Sequence, residues 1–337
     1  MTQSGNIQEL KDRFGRVHNY LRISLIEKCN LRCSYCMPAE GIPLSPKAHL
    51  MSAGEVLEFA RIFVGLGVNK IRLTGGEPLL RKDIGVILEG LAKMPVEISI
   101  TTNGLLVDRH VDNFQKLGIK KINFSLDTLK EARFQELTRR TGFQKTLDNF
   151  ELLHDNGFDL KINAVLIKGV NDDELVDLVN MTKDYKVSVR FIEFMPFDGN
   201  RWDRSKMVSE KEVLDQLGAH YGADSILSLP DEANFTARKF KIQGYGGDFG
   251  IISSVTNPFC GTCNRIRLTA NGRIKNCLFS NQETDLLAAM RAGENVENLI
   301  LESILNKKAV RAGMDSMEKL SDPALHSDNR SMIAIGG

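Results

Sequence analysis

An excess of charge of one sign is missing from this 337-residue chain, in which 44 Lys and Arg stand against 43 Asp and Glu for a formal charge of +1. Such a balance gives no general attraction for nucleic acid or a membrane surface, so neither is expected as a partner. If the ligand is an anion, the positive charge that holds it must be local. Long apolar runs are missing too. No stretch reaches membrane-spanning length, and the polar segment 1–16 has no secretory hydrophobic region, so a cytoplasmic protein is expected. Low-complexity segments and Pro/Gly-rich linkers are also absent, which leaves organisation to be read from pattern. Cysteine is scarce, with six residues, yet they fall in two triplets: Cys29, Cys33, Cys36 and Cys260, Cys263, Cys277. In a reducing compartment, clustered thiols with none left over point to metal binding or redox chemistry rather than disulfides.

The first two-thirds of the chain alternates β-branched runs with amphipathic stretches. Strands are expected at 20–26, 70–74, 97–103, 121–127, 161–167 and 189–195, and helices near 53–66, 84–94, 108–117, 145–157 and 172–185. Six β/α steps predict a parallel sheet with crossover helices. Ser52 and Glu55 form a capping box, with Met51 and Val56 as a hydrophobic staple, and Gly67 is a plausible stop. Side chains two apart on a strand share a face. Leu21, Ile23 and Leu25 therefore oppose Arg22 and Ser24. Ile71 and Leu73 oppose Lys70, Arg72 and Thr74, and Ile98 and Ile100 oppose Ser99, Thr101 and Asn103. Later strands set Asn123, Ser125, Lys161 and Asn163 on the polar side in the same way.

A closed eight-stranded barrel fills its interior with branched apolar residues. Here the inner face is polar and repeatedly basic, which fits an open, incomplete (βα)6 TIM-type barrel around a large polar ligand; a one-sided sheet with a solvated face is the alternative. Met195 falls opposite Arg190 by strict alternation, so both can face one cavity only if the strand ends or bulges between them. Beyond residue 204 the alternation stops. A helix near 209–221, strands near 235–244 and 248–255, and helices near 284–292 and 296–306 are expected there. Two domains are expected: a barrel over 1–204 and a C-terminal α+β extension over 205–337, packed over the barrel opening.

Cys29, Cys33 and Cys36 follow the first strand with C-x3-C-x2-C spacing. Structural zinc sites take four ligands, whereas three thiolates can hold a [4Fe–4S] cluster with one iron open to another ligand. The second triplet, in the run from Phe259 to Phe279, also has three thiolates and no local histidine; His326 is distant and reads as a solvated tail residue. No side chains form an obvious acid–base pair.

The first cysteine motif, with Tyr35 before its third cysteine, resembles the signature of the radical S-adenosylmethionine (SAM) superfamily. Thr74-Gly75-Gly76-Glu77-Pro78 matches a second superfamily motif. The second triplet, followed by Arg265-Ile266-Arg267, together with the terminal Gly336-Gly337, resembles the GTP 3′,8-cyclase family of molybdenum cofactor biosynthesis. That resemblance covers nearly the whole chain. It implies a lyase with two [4Fe–4S] clusters and bound SAM, contacted through Tyr35, Gly76, Ser125 and Met195. GTP would be held by Arg22, Arg72, Thr101, Lys161, Arg265, Ile266 and Arg267, with Lys70 and Arg190 adding to the same field. It also implies that the open iron of the second cluster contacts guanine and that Gly336 and Gly337 enter the active site for catalysis. Reductive cleavage of SAM would lead to 3′,8-cyclo-7,8-dihydro-GTP. The implied partners are an external one-electron reductant and a downstream pyranopterin monophosphate synthase, with a homodimer left open. Two other readings stand beside it: another radical SAM enzyme with an auxiliary cluster, such as a peptide-maturing one, or a zinc or iron–sulfur module without catalysis.

Overall fold

The structure, a computed structural model, describes residues 9–325 and 329–336. Gly337 and His326, both named from the sequence, lie outside the described residues. Strands and helices alternate as β1 (Tyr20–Ser24), α1 (Ala53–Gly65), β2 (Lys70–Thr74), α2 (Ile84–Leu91), β3 (Glu97–Thr102), α3 (Val111–Lys116) and β4 (Lys121–Ser125). They continue through α4 (Glu131–Thr138), α5 (Phe143–Asp155), β5 (Asp159–Leu166), α6 (Leu175–Asp184) and β6 (Ser188–Glu193). The six strands pair in parallel in sequence order. Helix α1 begins as the sequence predicts. Ser52 Oγ accepts from Glu55 N at 3.2 Å, the Glu55 carboxylate accepts from Ser52 N at 2.7 Å, and Met51 and Val56 are both buried.

Alternation divides the sheet's two faces. Leu21, Ile23, Ile71, Leu73, Ile100, Ile122, Phe124, Ile162, Val189 and Phe191 are fully buried in one continuous apolar core against the helices. Burying each of these side chains stabilises the fold by about 1.5–3 kcal/mol, and the opposite face is thereby left to the polar residues. Most strands end one or two residues before the expected boundary. There the chain leaves the sheet for the rim of the central cavity, as at Leu126, whose N–H bonds the Asn163 carbonyl at 3.0 Å. Helix α4 was not foreseen, because only Phe134, Leu137 and Thr138 in it are buried and its apolar periodicity is weak.

The region after residue 204 does more than lie over the opening. It contributes α7 (Glu210–Tyr221), β7 (Ile226–Ser228), β8 (Arg238–Ile242), β9 (Asp248–Ile252), β10 (Arg265–Leu268), β11 (Arg273–Lys275) and β12 (Thr284–Asp285). The sheet order is β12-β11-β10-β1-β2-β3-β4-β5-β6-β9-β8-β7. Strand β10 adds in parallel beside β1, and β9 adds in parallel beside β6, so later strands extend both edges of the six-stranded barrel. Each is capped by antiparallel strands, β11 on one side and β8 on the other. This brings Arg265 and Arg267 into register with Tyr20 and Arg22.

Candidate active site

The strand ends and the loops beyond them surround one cavity, lined by all six cysteines and by Arg22, Arg72, Thr101, Arg190, Arg265 and Arg267. Tyr35, Gly76, Ser125 and Met195 line it too. Met195 shares the cavity with Arg190 because β6 ends at Glu193, which frees the following residues from strand alternation.

The first triplet sits on the loop after β1, laid flat against the turn that ends β2. Gly76 N donates to the Ile26 carbonyl at 2.7 Å and Glu77 N to the Lys28 carbonyl at 2.8 Å. A Cβ on Gly76 would stand 2.3 Å from the Lys28 carbonyl oxygen, so glycine is what lets the two loops touch. The buried Glu77 carboxylate ties this turn to the end of β3, accepting from Thr102 Oγ1 at 2.9 Å, Asn103 N at 2.8 Å and Leu79 N at 3.1 Å. Burial raises its pKa to about 7, against those bonds. Asn103 then reaches Asn30 Oδ1 at 2.7 Å and Cys29 Sγ at 3.7 Å. Tyr35 donates its hydroxyl to Asp127 Oδ2 at 2.7 Å, which fixes the ring over the cavity. Burial pushes the Cys29 thiol up to about 11 and Cys36 up to about 12, and raises Cys33 as well, with the carboxylates Glu77 and Asp127 adding to the effect.

The second triplet faces the first across the cavity, with Cys260 and Cys263 on one tight turn and Cys277 just past β11. Burial alone would raise the Cys263 thiol, but Lys307 and Arg265 outweigh it and hold it at about 6. Among the described residues, no three His, Cys, Asp or Glu side chains converge closely enough for a single metal ion. Each triplet supplies three free thiols, the number that binds three irons of a [4Fe–4S] cluster and leaves the fourth open. Both donor sets fit a cluster with an open corner.

Between the triplets lies a floor of cations. Arg22 and Arg72 stand side by side on β1 and β2, with both guanidinium groups and the Lys70 ammonium over the Tyr20 ring. Burial and then the neighbouring Arg72 bring Arg22 down to about 10. Burial and then Arg22 bring Arg267 down to about 9. Among the described residues the buried Nε atoms of Arg22, Arg72 and Arg190, together with Thr101 Oγ1 and Asn123 Oδ1, have no hydrogen-bond partner. Unpaired buried polar atoms are costly, and several guanidinium donors aimed at one space suit phosphate oxygens.

Three residues named from the sequence sit differently. Lys161 does not line the cavity. It shares an inner row with Thr101 and Asn123 below it, where burial and then Arg190 lower it to about 8. Lys70 is paired with Glu97 at 2.6 Å, a carboxylate it shares with Lys121. Ile266 is fully buried on the apolar face beside Leu21, so only its main chain is available to a ligand.

The tail enters the barrel. Ile333, Ala334 and Ile335 are buried in a short helix, Met332–Ile335. Arg267 donates from Nη1 to the Gly336 carbonyl, and a Cβ on Gly336 would stand 2.3 Å from Thr74 Oγ1 and 3.1 Å from Ser24 Cβ. The fully buried Lys275 secures the tail from behind, donating to Asn329 Oδ1 at 3.0 Å. Lys275, Lys307 and the cavity-lining Arg311 escaped the sequence reading, which sets Asp127 on the polar face of its strand without giving it a role. A charged residue inside an apolar or cysteine-rich segment is the only local signal for them.

The chain is similar to known proteins over most of its length. Residues 23–182 match the profile of the radical SAM superfamily, and residues 187–312 that of Molybdenum Cofactor Synthesis C. The chain is 44% identical to the mitochondrial GTP 3′,8-cyclase of Arabidopsis thaliana, over 97% of this chain and 83% of the relative. It is 41% identical to GTP 3′,8-cyclase of Listeria welshimeri, over 89% and 91%. Molybdenum cofactor biosynthesis protein 1 of Homo sapiens is 45% identical over 97% of this chain, and the chain spans about half the length of that and similar relatives, 51% here. In fold it is similar to Streptococcus suis SuiB bound to S-adenosylmethionine, with a TM-score of 0.62, 16% identity, and coverage of 92% of this chain and 72% of that one. Among the described residues no helix is long and apolar enough to cross a membrane.

Proposed function

The chain belongs to the GTP 3′,8-cyclase family of radical SAM proteins, and we propose that it converts GTP to 3′,8-cyclo-7,8-dihydro-GTP, the first step of molybdenum cofactor biosynthesis. The observation that carries this is the row of buried guanidinium groups with unpartnered nitrogens, lying between two three-thiol sets.

In this reading Cys29, Cys33 and Cys36 hold the cluster that takes SAM, beside Tyr35, Gly76, Ser125 and Met195. Cys260, Cys263 and Cys277 hold a second cluster that takes the guanine. The chemistry supplied when cluster and SAM are bound is reductive cleavage to methionine and a 5′-deoxyadenosyl radical, removal of the C3′ hydrogen of GTP, and closure of C3′ onto C8, completed by one electron and one proton. The protein's own work is positioning and exclusion. Arg22, Arg72 and Arg190 bind the triphosphate, with Lys161 reinforcing the field from below and Thr101 donating a hydrogen bond. Arg265 and Arg267 bind from β10, directly beside Arg22. Gly336, threaded between Ser24 and Thr74, closes the space around the reacting carbon; we assign Gly337 the same role. Water and stray hydrogen donors are thereby kept from a reactive alkyl radical. Residues 1–204 serve SAM and residues 205–337 the second cluster, in a cytoplasmic protein fed by an external one-electron donor. A downstream pyranopterin monophosphate synthase would take the product.

Anaerobic reconstitution with iron and sulfide should load about eight irons per chain, four per cluster. The loaded protein, given SAM, GTP and dithionite, should form the cyclised nucleotide. Protein that cleaves SAM yet leaves GTP unchanged would overturn the proposal.

A further inference from the structure

Lys307 is a buried charge that the proposed chemistry leaves without a task. Its ammonium has three polar partners among the described residues: the Arg265 carbonyl at 3.0 Å, Cys263 Sγ at 3.4 Å and His18 Nδ1 at 3.4 Å. None is a carboxylate. A buried ammonium is stabilised by an anion close by, and a cluster-bound Cys263 sulfur would be one.

His18 is arranged so as not to compete. Its Nδ1 accepts from Lys307, which leaves the ring proton on Nε2 to be donated to Asp12 Oδ2 at 3.0 Å. Asp12 is in turn bound by Arg16 Nε at 2.6 Å. Arg16 then reaches forward to the turn that carries the second triplet, donating to the Cys260 carbonyl at 2.8 Å, and to the Lys308 carbonyl at 2.9 Å. Asp12, Arg16 and His18 thus brace both the lysine and the cysteine turn it serves. Among the described residues no lysine or arginine is hydrogen-bonded to a first-triplet sulfur; Cys29 Sγ meets Asn103 Nδ2 at 3.7 Å instead. The charged groups acting on it are the carboxylates Glu77 and Asp127.

We propose that Lys307, oriented by His18, Asp12 and Arg16, is a positioning residue for the second iron–sulfur cluster, donating to the Cys263 thiolate and making that cluster easier to reduce. The reason is electrostatic. Reduction adds one negative charge to the cluster, and a hydrogen-bonded ammonium at one ligand sulfur stabilises the more negative state. The proposal rests on the second cluster assigned above.

The test is a reductive titration of the reconstituted full chain, followed by electron paramagnetic resonance. The second cluster's signal is the one that survives replacement of Cys29, Cys33 and Cys36 by Ala. Lys307→Gln should shift its midpoint to lower potential, while Lys307→Arg, which keeps the charge, should stay near the unsubstituted value. Loss of the cluster in Lys307→Gln with retention in Lys307→Arg also supports the proposal. An unmoved potential in an iron-replete Lys307→Gln would overturn it, as would equal loss of iron from both variants, since packing rather than charge would then be responsible. Only about four irons in the unsubstituted chain would instead sink the second cluster itself, and this inference with it.

Discussion

Replacing Gly336 by alanine should abolish cyclisation while leaving the fold and both metal sites in place. The residue has φ +78°, a left-handed conformation that costs an L-residue with a side chain roughly 1–2 kcal/mol. The added Cβ would also stand 2.3 Å from Thr74 Oγ1, and relieving such an overlap costs about 1–3 kcal/mol. Together these amount to about 2–5 kcal/mol, against about 1.5–3 kcal/mol for the charge-assisted bond from Arg267 to the Gly336 carbonyl. The equilibrium constant for holding Gly336 in its slot should therefore fall by roughly 30- to 4,000-fold. The buried Ile333 and Ile335 should keep the preceding turn docked. Product formation at saturating SAM and GTP is the assay, with iron content and GTP affinity as controls. Adding Thr74→Ala removes the nearest clashing atom and should recover part of the loss, as a double-mutant cycle would show. Activity of Gly336→Ala within about twofold of the unsubstituted chain would refute the reasoning.

Other outcomes follow from the same geometry. Arg22→Ala and Arg72→Ala should each weaken GTP binding by about 1.5–3 kcal/mol with SAM affinity nearly unchanged; calorimetry showing equal losses for both ligands would point to misfolding instead. Lys161→Ala should do the same more weakly, since Lys161 lies beneath the cavity lining. Replacing Cys29, Cys33 and Cys36 by Ala should remove about half the iron and all 5′-deoxyadenosine formation, whereas replacing Cys260, Cys263 and Cys277 should spare SAM binding and stop cyclisation. Glu55 is held at about 2, from an ordinary 4.5, chiefly by Arg291. A depressed acid contributes stability above its unfolded pKa and loses it as pH falls through the folded one. The melting-temperature gap between the unsubstituted chain and Glu55→Gln should therefore close between about pH 5 and pH 2, and a constant gap would show that the ion pair is not its source.

Much of the barrel was legible because it depends on a period of two. Leu21 and Ile23 against Arg22, or Ile71 and Leu73 against Arg72, separate core from cavity without any tertiary knowledge. Long-range pairing was not legible. Lys70 reads from the sequence as a lumen cation without a partner, and only the register shows it sharing Glu97 with Lys121. Strand β10 carries the same charged–apolar alternation, Arg265-Ile266-Arg267-Leu268, but it is short and embedded in the cysteine motif, so its pairing with β1 showed only in the fold. The tail's composition suits a frayed end. Its burial depends on Thr74, Ser24, Lys275 and Arg267, all far from it in sequence. Lys307 is hidden for the same reason, since its partners His18 and Cys263 come from opposite ends of the chain.

The central claim is that this cavity brings C3′ of GTP against the radical derived from SAM and joins it to C8. Incubating the reconstituted protein with SAM, dithionite and GTP deuterated only at C3′, followed by mass spectrometry of both products, tests it directly. One deuterium should appear in 5′-deoxyadenosine, and the cyclised nucleotide should have lost it. Formation of 5′-deoxyadenosine without deuterium, or of no cyclised nucleotide alongside it, would contradict the assignment.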